Sequence, residues 1–317
     1  MKILVTGAAG FIATNLIPRL LKRGDEVIGV DNFFLGKREY LQNHERFRFV
    51  ELDLLDLDRV VELFSETRPD RVWHLAANSD ISYGTKYTDF DLKGGTLATY
   101  SVLEAMRRAL TKEIVFSSSG AVYGEPTVMP TPEDYGPILP ISLYAASKVA
   151  CETLITAFVH NYDMRAWIFR FGNIIGPNPT HGVVYDFIHK LQRDRTRLEV
   201  LGNGTQSKPY VHVEDCLNGM EFGVANAKED VNYYNLAVDD HTSVREITEW
   251  TLEAMGIDRD AIDVKFGDQP RGWRGDVAQV RMDTRKMTAL GWKPAMSSRE
   301  AVQRGIREIV NQLTSSP

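Results

Sequence analysis

Cysteine is scarce in this chain of 317 residues, where Cys151 and Cys216 are the only two. They form no C-x-x-C pair and lie at no metal-ligand spacing, so the sequence predicts neither a disulfide framework nor a metal site. Thiols of this kind are typical of a reducing compartment. We therefore expect a cytoplasmic protein.

Long apolar runs and basic blocks are also missing. The apolar opening is interrupted at Asn15, Pro18 and Arg19 before it could span a bilayer. The net charge is −6 and the pI is near 5.7, which argues against binding to nucleic acid. Neither a membrane nor a nucleic acid is therefore an expected partner. With 43% hydrophobic and 25% charged residues, the chain can bury a large core.

A strand followed by a glycine turn is present at the start of the chain. Lys2–Thr6 is an uninterrupted apolar run with β-branched members, typical of a buried parallel strand. It leads into Gly7-Ala-Ala-Gly10-Phe-Ile-Ala, and a helical pattern follows. The exposed amides and the dipole of such a helix N-terminus bind phosphate. A second strand, Glu26–Val30, ends in Asp31, whose carboxylate suits the ribose hydroxyls of NAD and would repel the 2′-phosphate of NADP.

Tyr144 and Lys148 lie four residues apart in a predicted helix and therefore share one face. A neighbouring cation favours phenolate, so we expect the pKa of Tyr144 to fall below its ordinary value of about 10. A decrease of roughly three units needs about 4 kcal/mol, which is within reach if the positive ring of a bound cofactor contributes. Tyr144 would then act as a base at neutral pH.

Strand and helix patterns alternate in the first half of the chain, which predicts βαβ units and a parallel, doubly wound α/β sheet of Rossmann type. After about residue 173 the rhythm breaks into Gly/Pro-rich loops, short strands and scattered helices. We expect an NAD-binding domain over residues 1–173 and a smaller, irregular α/β lobe for the substrate over 174–317, with interleaved segments. The further predicted strands are Phe47–Leu52, Arg71–Ala77, Glu113–Ser119 and Arg165–Phe171, and the predicted helices are Asp56–Glu66, Asp91–Arg108, Ser142–His160 and Ser298–Leu313.

These motifs together resemble the extended short-chain dehydrogenase/reductase family, and within it the NAD-dependent nucleotide-sugar epimerase/dehydratase group. The resemblance covers essentially the whole chain. It rests on the segments Val5–Phe11, Asp53-Leu54, His74–Ala77, Phe116–Gly124, Tyr144 with Lys148, Arg170–Pro177 and Tyr210–Asp215.

The resemblance implies a catalytic set of Ser119, Tyr144 and Lys148. Ser119 would hydrogen-bond the substrate hydroxyl, and Lys148 would also bind the nicotinamide ribose. Asp53 and Leu54 would bracket the adenine, although an ordinary strand end before a helix cap is the alternative for this pair. The cofactor-binding residues that the resemblance implies are Gly7, Gly10, Phe11, Ile12, Asp31, Asn32, Asp53, Leu54, Leu75, Ala76, Ala77, Ser117, Tyr144 and Lys148.

The resemblance also implies substrate-binding residues in the second half. Asn173 would hold the substrate diphosphate, and Lys208 and Arg271 would clamp its phosphates, with Arg274 as the alternative to Arg271. Each of these cations could instead be an ordinary surface charge. The complete implied set is Ser119, Tyr144, Asn173, Val183, Val184, Val200, Lys208 and Arg271.

The residues after Ser119 narrow the reaction. Gly120 and Ala121 stand where the family's 4,6-dehydratases carry Asp-Glu, and Gly120 also excludes the cysteine of the C3/C5 epimerases. The remaining Ser/Tyr/Lys set is sufficient for reversible oxidation at one carbon. The resemblance therefore favours a 4-epimerase of a UDP-hexose or related UDP-sugar, with tightly bound NAD and a transient 4-keto sugar. The alternatives are an NAD-linked dehydrogenase or reductase, another nucleotide-sugar-modifying enzyme, or a non-catalytic NAD-binding regulator.

Two further expectations concern the predicted helices Asp91–Arg108 and Ser142–His160. Relatives pair these helices across a dimer axis, so we expect a homodimer, the alternative being that both helices simply pack against the sheet.

Gly95 falls where relatives usually carry an asparagine that hydrogen-bonds backbone near the active site. Water or a neighbouring residue would have to replace that support.

Overall fold

The computed structural model describes residues 1–78, 80–269 and 280–314. Its strands are β1 (Lys2–Thr6), β2 (Glu26–Asp31), β3 (Phe47–Glu51), β4 (Arg71–His74), β5 (Glu113–Ser119), β6 (Arg165–Phe171), β7 (Asn173–Ile175), β8 (Arg197–Val200), β9 (Ser207–Lys208), β10 (Tyr210–His212), β11 (Val231–Leu236), β12 (Thr242–Ser243) and β13 (Asp263–Phe266). Its α-helices are α1 (Phe11–Lys22), α2 (Leu57–Thr67), α3 (Ile81–Lys86), α4 (Ala98–Ala109), α5 (Leu143–Tyr162), α6 (Val183–Arg193), α7 (Val213–Asn226), α8 (Val244–Ala254), α9 (Arg285–Leu290) and α10 (Ser298–Thr314).

The large sheet is built from the buried apolar runs of the first half of the chain. Within the described residues it has seven strands in the order β11-β6-β5-β4-β1-β2-β3. Strand β1 pairs in parallel with β2 and β4, β2 with β3, and β4 with β5. Ile3, Leu4 and Val5 are fully buried, as expected for a strand covered on both faces. The predicted doubly wound α/β sheet is confirmed.

Most predicted elements have the observed bounds to within a few residues, and two differ for local reasons. Strand β4 ends at His74 instead of Ala77. The Leu75 amide is shared between the Thr6 carbonyl at 3.3 Å and the Thr6 hydroxyl at 3.2 Å, and the Ala76 amide donates to the hydroxyl alone. The predicted helix Asp91–Arg108 is a widened π-helical turn over Leu92–Leu97 followed by α4. This turn contains the consecutive glycines Gly94 and Gly95, which are weak helix formers.

The chain divides into two compact units. Unit 1 comprises residues 1–125, 135–170 and 220–234, and unit 2 comprises 126–134, 171–219 and the described residues from 235 onward. Unit 1 takes in a late segment because β11 lies next to β6 at the edge of the sheet, where the Ala166 amide donates to the Asp230 carbonyl at 2.8 Å. The assignment of cofactor binding to one lobe and substrate binding to the other stays a prediction.

Each unit has its own apolar core. In unit 1, helices α2, α4 and α5 pack on the sheet through side chains such as Phe64, Met106 and Ile155. In unit 2, α6, α8 and α10 pack together through residues such as Ile188 and Ile247. Short strand pairs complete unit 2: β7 with β10 and β8 with β13 are parallel, and β9 with β12 is antiparallel.

Across the described ranges, no helix is both long and apolar enough to cross a membrane. The same residues contain no group of three or more His, Cys, Asp or Glu side chains that could hold a metal ion.

Candidate active site

The glycine turn lies against the segment that follows β4. Gly7 has a φ of +67°, and a Cβ added to it would lie 2.8 Å from the Ala76 nitrogen. Both facts require glycine at this position. Gly10 is the N-cap of α1, and Phe11 and Ile12 are the first residues of the helix. Because Gly10 has no side chain, the amides at the N-terminus of α1 are left for a phosphate ligand.

Asp31 ends β2 and folds back onto the glycine turn. Its carboxylate accepts hydrogen bonds from the Ala9 amide at 3.0 Å and from the Phe33 amide at 2.7 Å. Burial raises the pKa of Asp31, and these backbone hydrogen bonds oppose that shift. Asn32 turns the following loop by accepting from the Phe34 amide at 3.1 Å. The position of Asp31 fits a ribose-binding carboxylate, a role that stays a prediction.

Asp53 and Leu54 follow β3, and the helix cap beyond them is another residue. The Asp53 carboxylate accepts from the Leu55 amide at 2.9 Å. The N-cap of α2 is Asp56, which accepts from the Arg59 amide at 3.3 Å. Asp53 therefore shapes the turn without capping the helix. The adenine role of Asp53 and Leu54 stays a prediction.

The three predicted catalytic residues converge where β5 ends and α5 begins. Ser119 is the last residue of β5, and its hydroxyl hydrogen-bonds the Tyr144 hydroxyl. Ser142 caps α5 by accepting from the Ala145 amide at 3.2 Å, so Tyr144 lies in the first helical turn. Lys148, one turn further on, is buried and donates from Nζ to the Ser117 carbonyl at 2.7 Å.

The pKa values at this point correct one expectation. Burial raises the pKa of Tyr144 to about 12, the Ser119 hydrogen bond opposes the shift, and the charge of Asp91 adds to it. Burial lowers the pKa of Lys148 to about 8. The Lys148 ammonium is engaged by a carbonyl and lies 5.8 Å from the Tyr144 ring centroid. The expected fall in the pKa of Tyr144 is therefore not seen in the protein alone, where burial raises this pKa and the opposing contribution comes from Ser119.

The hydroxyl of Thr6 lies between β1 and the segment after β4, and sequence reasoning missed it. It accepts from the amides of Leu75 and Ala76, each at 3.2 Å. Its single proton is then left for His74 Nδ1, at 2.7 Å. Thr6 thus connects the strand before the glycine turn with two of the predicted cofactor-binding residues.

His74 extends this connection toward α4 and α5. With Nδ1 accepting, Nε2 carries the ring proton and donates to the Thr99 hydroxyl at 2.9 Å. Thr99 in turn lies 3.1 Å from the sulfur of Cys151. His74 is fully buried, and burial, with a smaller contribution from Lys148, lowers its pKa to about 3. The imidazole is therefore neutral at physiological pH.

A buried ion pair between Arg170 and Glu152 lies beside β5, and sequence reasoning did not predict it. Arg170 donates to Glu152 from Nη2 at 2.7 Å and from Nε at 3.0 Å, and its Nη1 donates to the Tyr123 hydroxyl at 2.9 Å. The Ser118 hydroxyl donates to the same carboxylate at 2.5 Å. Glu152 is four residues after Lys148 and therefore on the same helix face, which was the available sequence signal.

The predicted substrate residues that the structure describes beyond Ser119 and Tyr144 belong to unit 2. Asn173 begins β7, where its backbone N–H donates to the Pro209 carbonyl at 3.0 Å. Val184 and Val200 contribute buried side chains to the core of unit 2, so only their backbone is left for a ligand. Val183 begins α6 and Lys208 lies on β9, whereas Arg271 and Arg274 lie outside the described residues.

The fold and this constellation define an enzyme class that comparison with known proteins identifies. Residues 3–237 match the model of the NAD dependent epimerase/dehydratase family, and the chain belongs to that family. The family and the cofactor predicted from the sequence are thereby confirmed.

Individual relatives cover 98–100% of the chain. It is 33% identical over 321 residues to the UDP-glucose 4-epimerase of Mycolicibacterium smegmatis, covering 98% of this chain and 99% of the relative. The solved UDP-glucose 4-epimerase of Thermotoga maritima, with UDP-glucose, is 30% identical with a TM-score of 0.87, over 99% of this chain and 100% of that one. The solved UDP-glucose 4-epimerase of Thermus thermophilus, in complex with NAD, is 30% identical with a TM-score of 0.86, over 100% of both chains.

Proposed function

We propose that this protein is an NAD-dependent UDP-sugar 4-epimerase, an isomerase that inverts C4 of a UDP-hexose or related UDP-sugar through a transient 4-keto intermediate. One observation carries the proposal: the hydrogen-bonded Ser119–Tyr144 pair stands next to Lys148. The residues after Ser119, Gly120 and Ala121, supply no acid or base for elimination. The site is therefore equipped for reversible oxidation at one carbon. The names of the relatives support the same substrate class.

The glycine turn and its surroundings fit NAD. The approach of Gly7 to Ala76 leaves no room for a side chain, and the α1 N-terminus offers free amides to a diphosphate. Asp31, held beside the turn by the Ala9 amide, supports a preference for NAD over NADP. When bound, NAD supplies reversible hydride acceptance at the sugar carbon and a positive ring that favours the phenolate of Tyr144.

Tyr144 is the proposed base for the C4 hydroxyl. Its phenolate takes the hydroxyl proton during oxidation and returns it when the 4-keto sugar is reduced. The Ser119 hydroxyl stabilises the phenolate through its hydrogen bond, and the N-terminus of α5 favours negative charge in the same turn. Lys148, fixed on the Ser117 carbonyl, adds a cation beside the predicted ribose position.

The residues of unit 2 are proposed to hold the nucleotide and leave the sugar loosely held. Inversion requires the keto sugar to present both faces in turn, which a firm grip on the diphosphate permits. We assign that grip to Asn173 and Lys208 together with Arg271, and contacts to the nucleotide to Val183, Val184 and Val200.

The proposal also includes a homodimer and a cytoplasmic location. A homodimer through the predicted helices is supported by exposed apolar side chains along Leu92–Ala109 and α5. These are Leu92, Leu97, Tyr100, Leu143 and Tyr162, each between 40% and 52% exposed. A cytoplasmic location is supported by Cys151 and Cys216, which are both buried free thiols.

Proton NMR of the purified protein with a panel of UDP-sugars, without added NAD, tests the proposal. The expected result is the anomeric signal of the C4 epimer from one of them, which would establish epimerisation and a retained cofactor together. Hydride transfer only when NAD or NADH is supplied would favour a dehydrogenase. Silence under both conditions would reject the UDP-sugar assignment.

A further inference from the structure

The widened turn Leu92–Leu97 and helix α5 meet at Gly95 and Ser147. Both residues are buried. A Cβ added to Gly95 would overlap the Ser147 Oγ and lie 3.3 Å from the Ser147 Cβ. The neighbouring Gly94 differs, because a Cβ added there meets nothing within 4 Å. The serine hydroxyl therefore fills the space that a side chain at position 95 would need.

The Ser147 hydroxyl ties α5 to the turn on both sides of Gly95. It donates to the Asp91 carbonyl at 2.7 Å. With that proton committed, the contact with the Thr96 hydroxyl at 3.1 Å has Thr96 as the donor. Ser147 directly precedes Lys148 and follows Tyr144 by three residues. Its two hydrogen bonds therefore fix the part of α5 that carries the chemistry.

Asp91 is positioned by the same tie. Asp91 is 2% exposed, and its Oδ1 accepts from the Asn78 side chain at 2.9 Å. Its Oδ2 is buried with no hydrogen-bond partner among the described residues. The charge of Asp91 adds to the rise in the pKa of Tyr144 and opposes the burial that lowers the pKa of Lys148. A shift of the Asp91 backbone would therefore change the electrostatic surroundings of both groups.

We propose that Gly95 and Ser147 act as a coupled pair that positions Tyr144 and Lys148. Ser147 is the positioning residue, and the absence of a side chain at Gly95 leaves room for its hydroxyl. The pair takes the place of the asparagine expected at position 95. The proposal deepens the epimerase function and rests on it for the turnover measurement, while the contact itself can be tested independently.

The experiment compares Gly95→Ala with Gly94→Ala in the cofactor-loaded protein. In an ordinary helix both changes would stabilise, because alanine is the better helix former. We expect Gly94→Ala to keep or raise Tm and to keep kcat. Gly95→Ala should lower Tm and reduce kcat on the order of tenfold to a hundredfold, with KM little changed, because displacement of Ser147 misplaces Tyr144. Light scattering checks that each variant keeps the wild-type oligomeric state.

Removal of the Ser147 hydroxyl completes a double-mutant cycle with Gly95→Ala. Ser147→Ala should itself lower kcat. Gly95→Ala with Ser147→Ala should bring Tm and kcat close to the values of Ser147→Ala alone, because the remaining Cβ–Cβ distance of 3.3 Å requires only a small shift. The proposal is overturned if Gly95→Ala behaves like Gly94→Ala, if the losses of the two single variants add in the double variant, or if only Tm responds.

One readout does not depend on the epimerase assignment. Ultraviolet titration of Tyr144, taken as the difference from Tyr144→Phe, should shift its midpoint in Gly95→Ala and Ser147→Ala but not in Gly94→Ala. A shift without epimerisation by the wild type would reject the proposed function and keep the pair. Epimerisation without a shift would do the reverse.

Discussion

The hydroxyl of Thr6 donates to Nδ1 of His74 at 2.7 Å, and the direction of this hydrogen bond is fixed because two backbone amides occupy the oxygen. It sets the tautomer of a fully buried imidazole and links the ends of β1 and β4. Protonation of His74 would leave the Nδ1 proton facing a hydroxyl that has to rotate away from it. The neutral ring is therefore part of the folded structure.

Acid should destabilise the protein through His74. The folded pKa of about 3 is below the unfolded value of 6.5, so the unfolded state binds more protons as the pH falls from about 6.5 toward 3. The contribution is fully present above pH 6.5, and about 2 kcal/mol of it should be lost at about pH 5. Urea unfolding of wild type and His74→Gln at pH 7.5 and pH 5 measures the difference. An equal loss in both proteins would contradict the assignment.

Replacing Tyr144 with Phe should reduce turnover by a factor on the order of 10² to 10⁴, because the base for the sugar hydroxyl is lost. The ring remains, so the fold and the retained NAD should be unaffected. Epimerisation by NMR, circular dichroism and the NAD released on denaturation measure the three quantities. A near-normal rate would remove Tyr144 from its proposed role.

Removing the Ser119 hydroxyl should shift the pH–rate profile. Its hydrogen bond lowers the pKa of Tyr144, so in Ser119→Ala that pKa rises and the ascending limb of kcat moves to higher pH. Ser119→Thr, which keeps a hydroxyl, is the matched control and should keep the wild-type limb. If alanine lowers kcat equally at every pH, Ser119 acts only by holding the substrate.

Gly7→Ala should expel the cofactor. The substitution combines the strain of φ +67° with a Cβ 2.8 Å from the Ala76 nitrogen. Gly256 offers the matched control, since its φ of +62° is similar but a Cβ there meets nothing within 4 Å. Gly256→Ala should therefore cost only the conformational strain, about 1–2 kcal/mol, and keep its NAD. The NAD content of the two purified variants, measured after denaturation, distinguishes the effects; equal content would show that the contact at Ala76 is unimportant.

The sequence was sufficient for the parallel sheet, because β1, β5 and β6 are apolar runs whose length and flanking residues define them. Helix periodicity placed Tyr144 and Lys148 on one face, and the family resemblance added Ser119 to them. The raised pKa of Tyr144 was not predictable in the same way. It depends on how much water the surrounding side chains exclude, which is a property of packing.

Contacts between distant segments could not be predicted from the sequence either, because they also depend on packing. The approach of Ser147 to Gly95 joins two segments far apart in the chain, and no local pattern reports that one side chain fills a neighbour's vacancy. The return of residues 220–234 to unit 1 is a similar case, because pairing of β11 with β6 depends on an edge that only the folded sheet presents.

The packing of residues 220–234 in unit 1 affects how the protein folds during synthesis and where its chain can be divided. A ribosome has to complete more than two thirds of the chain before the edge of β6 can be covered, so the nascent sheet carries an open flank that other chains can pair with. A fragment ending at residue 173 would keep that flank permanently, which makes the amino-terminal half a poor candidate for separate expression. Any circular permutation or split version would have to keep residues 220–234 with the strands they complete.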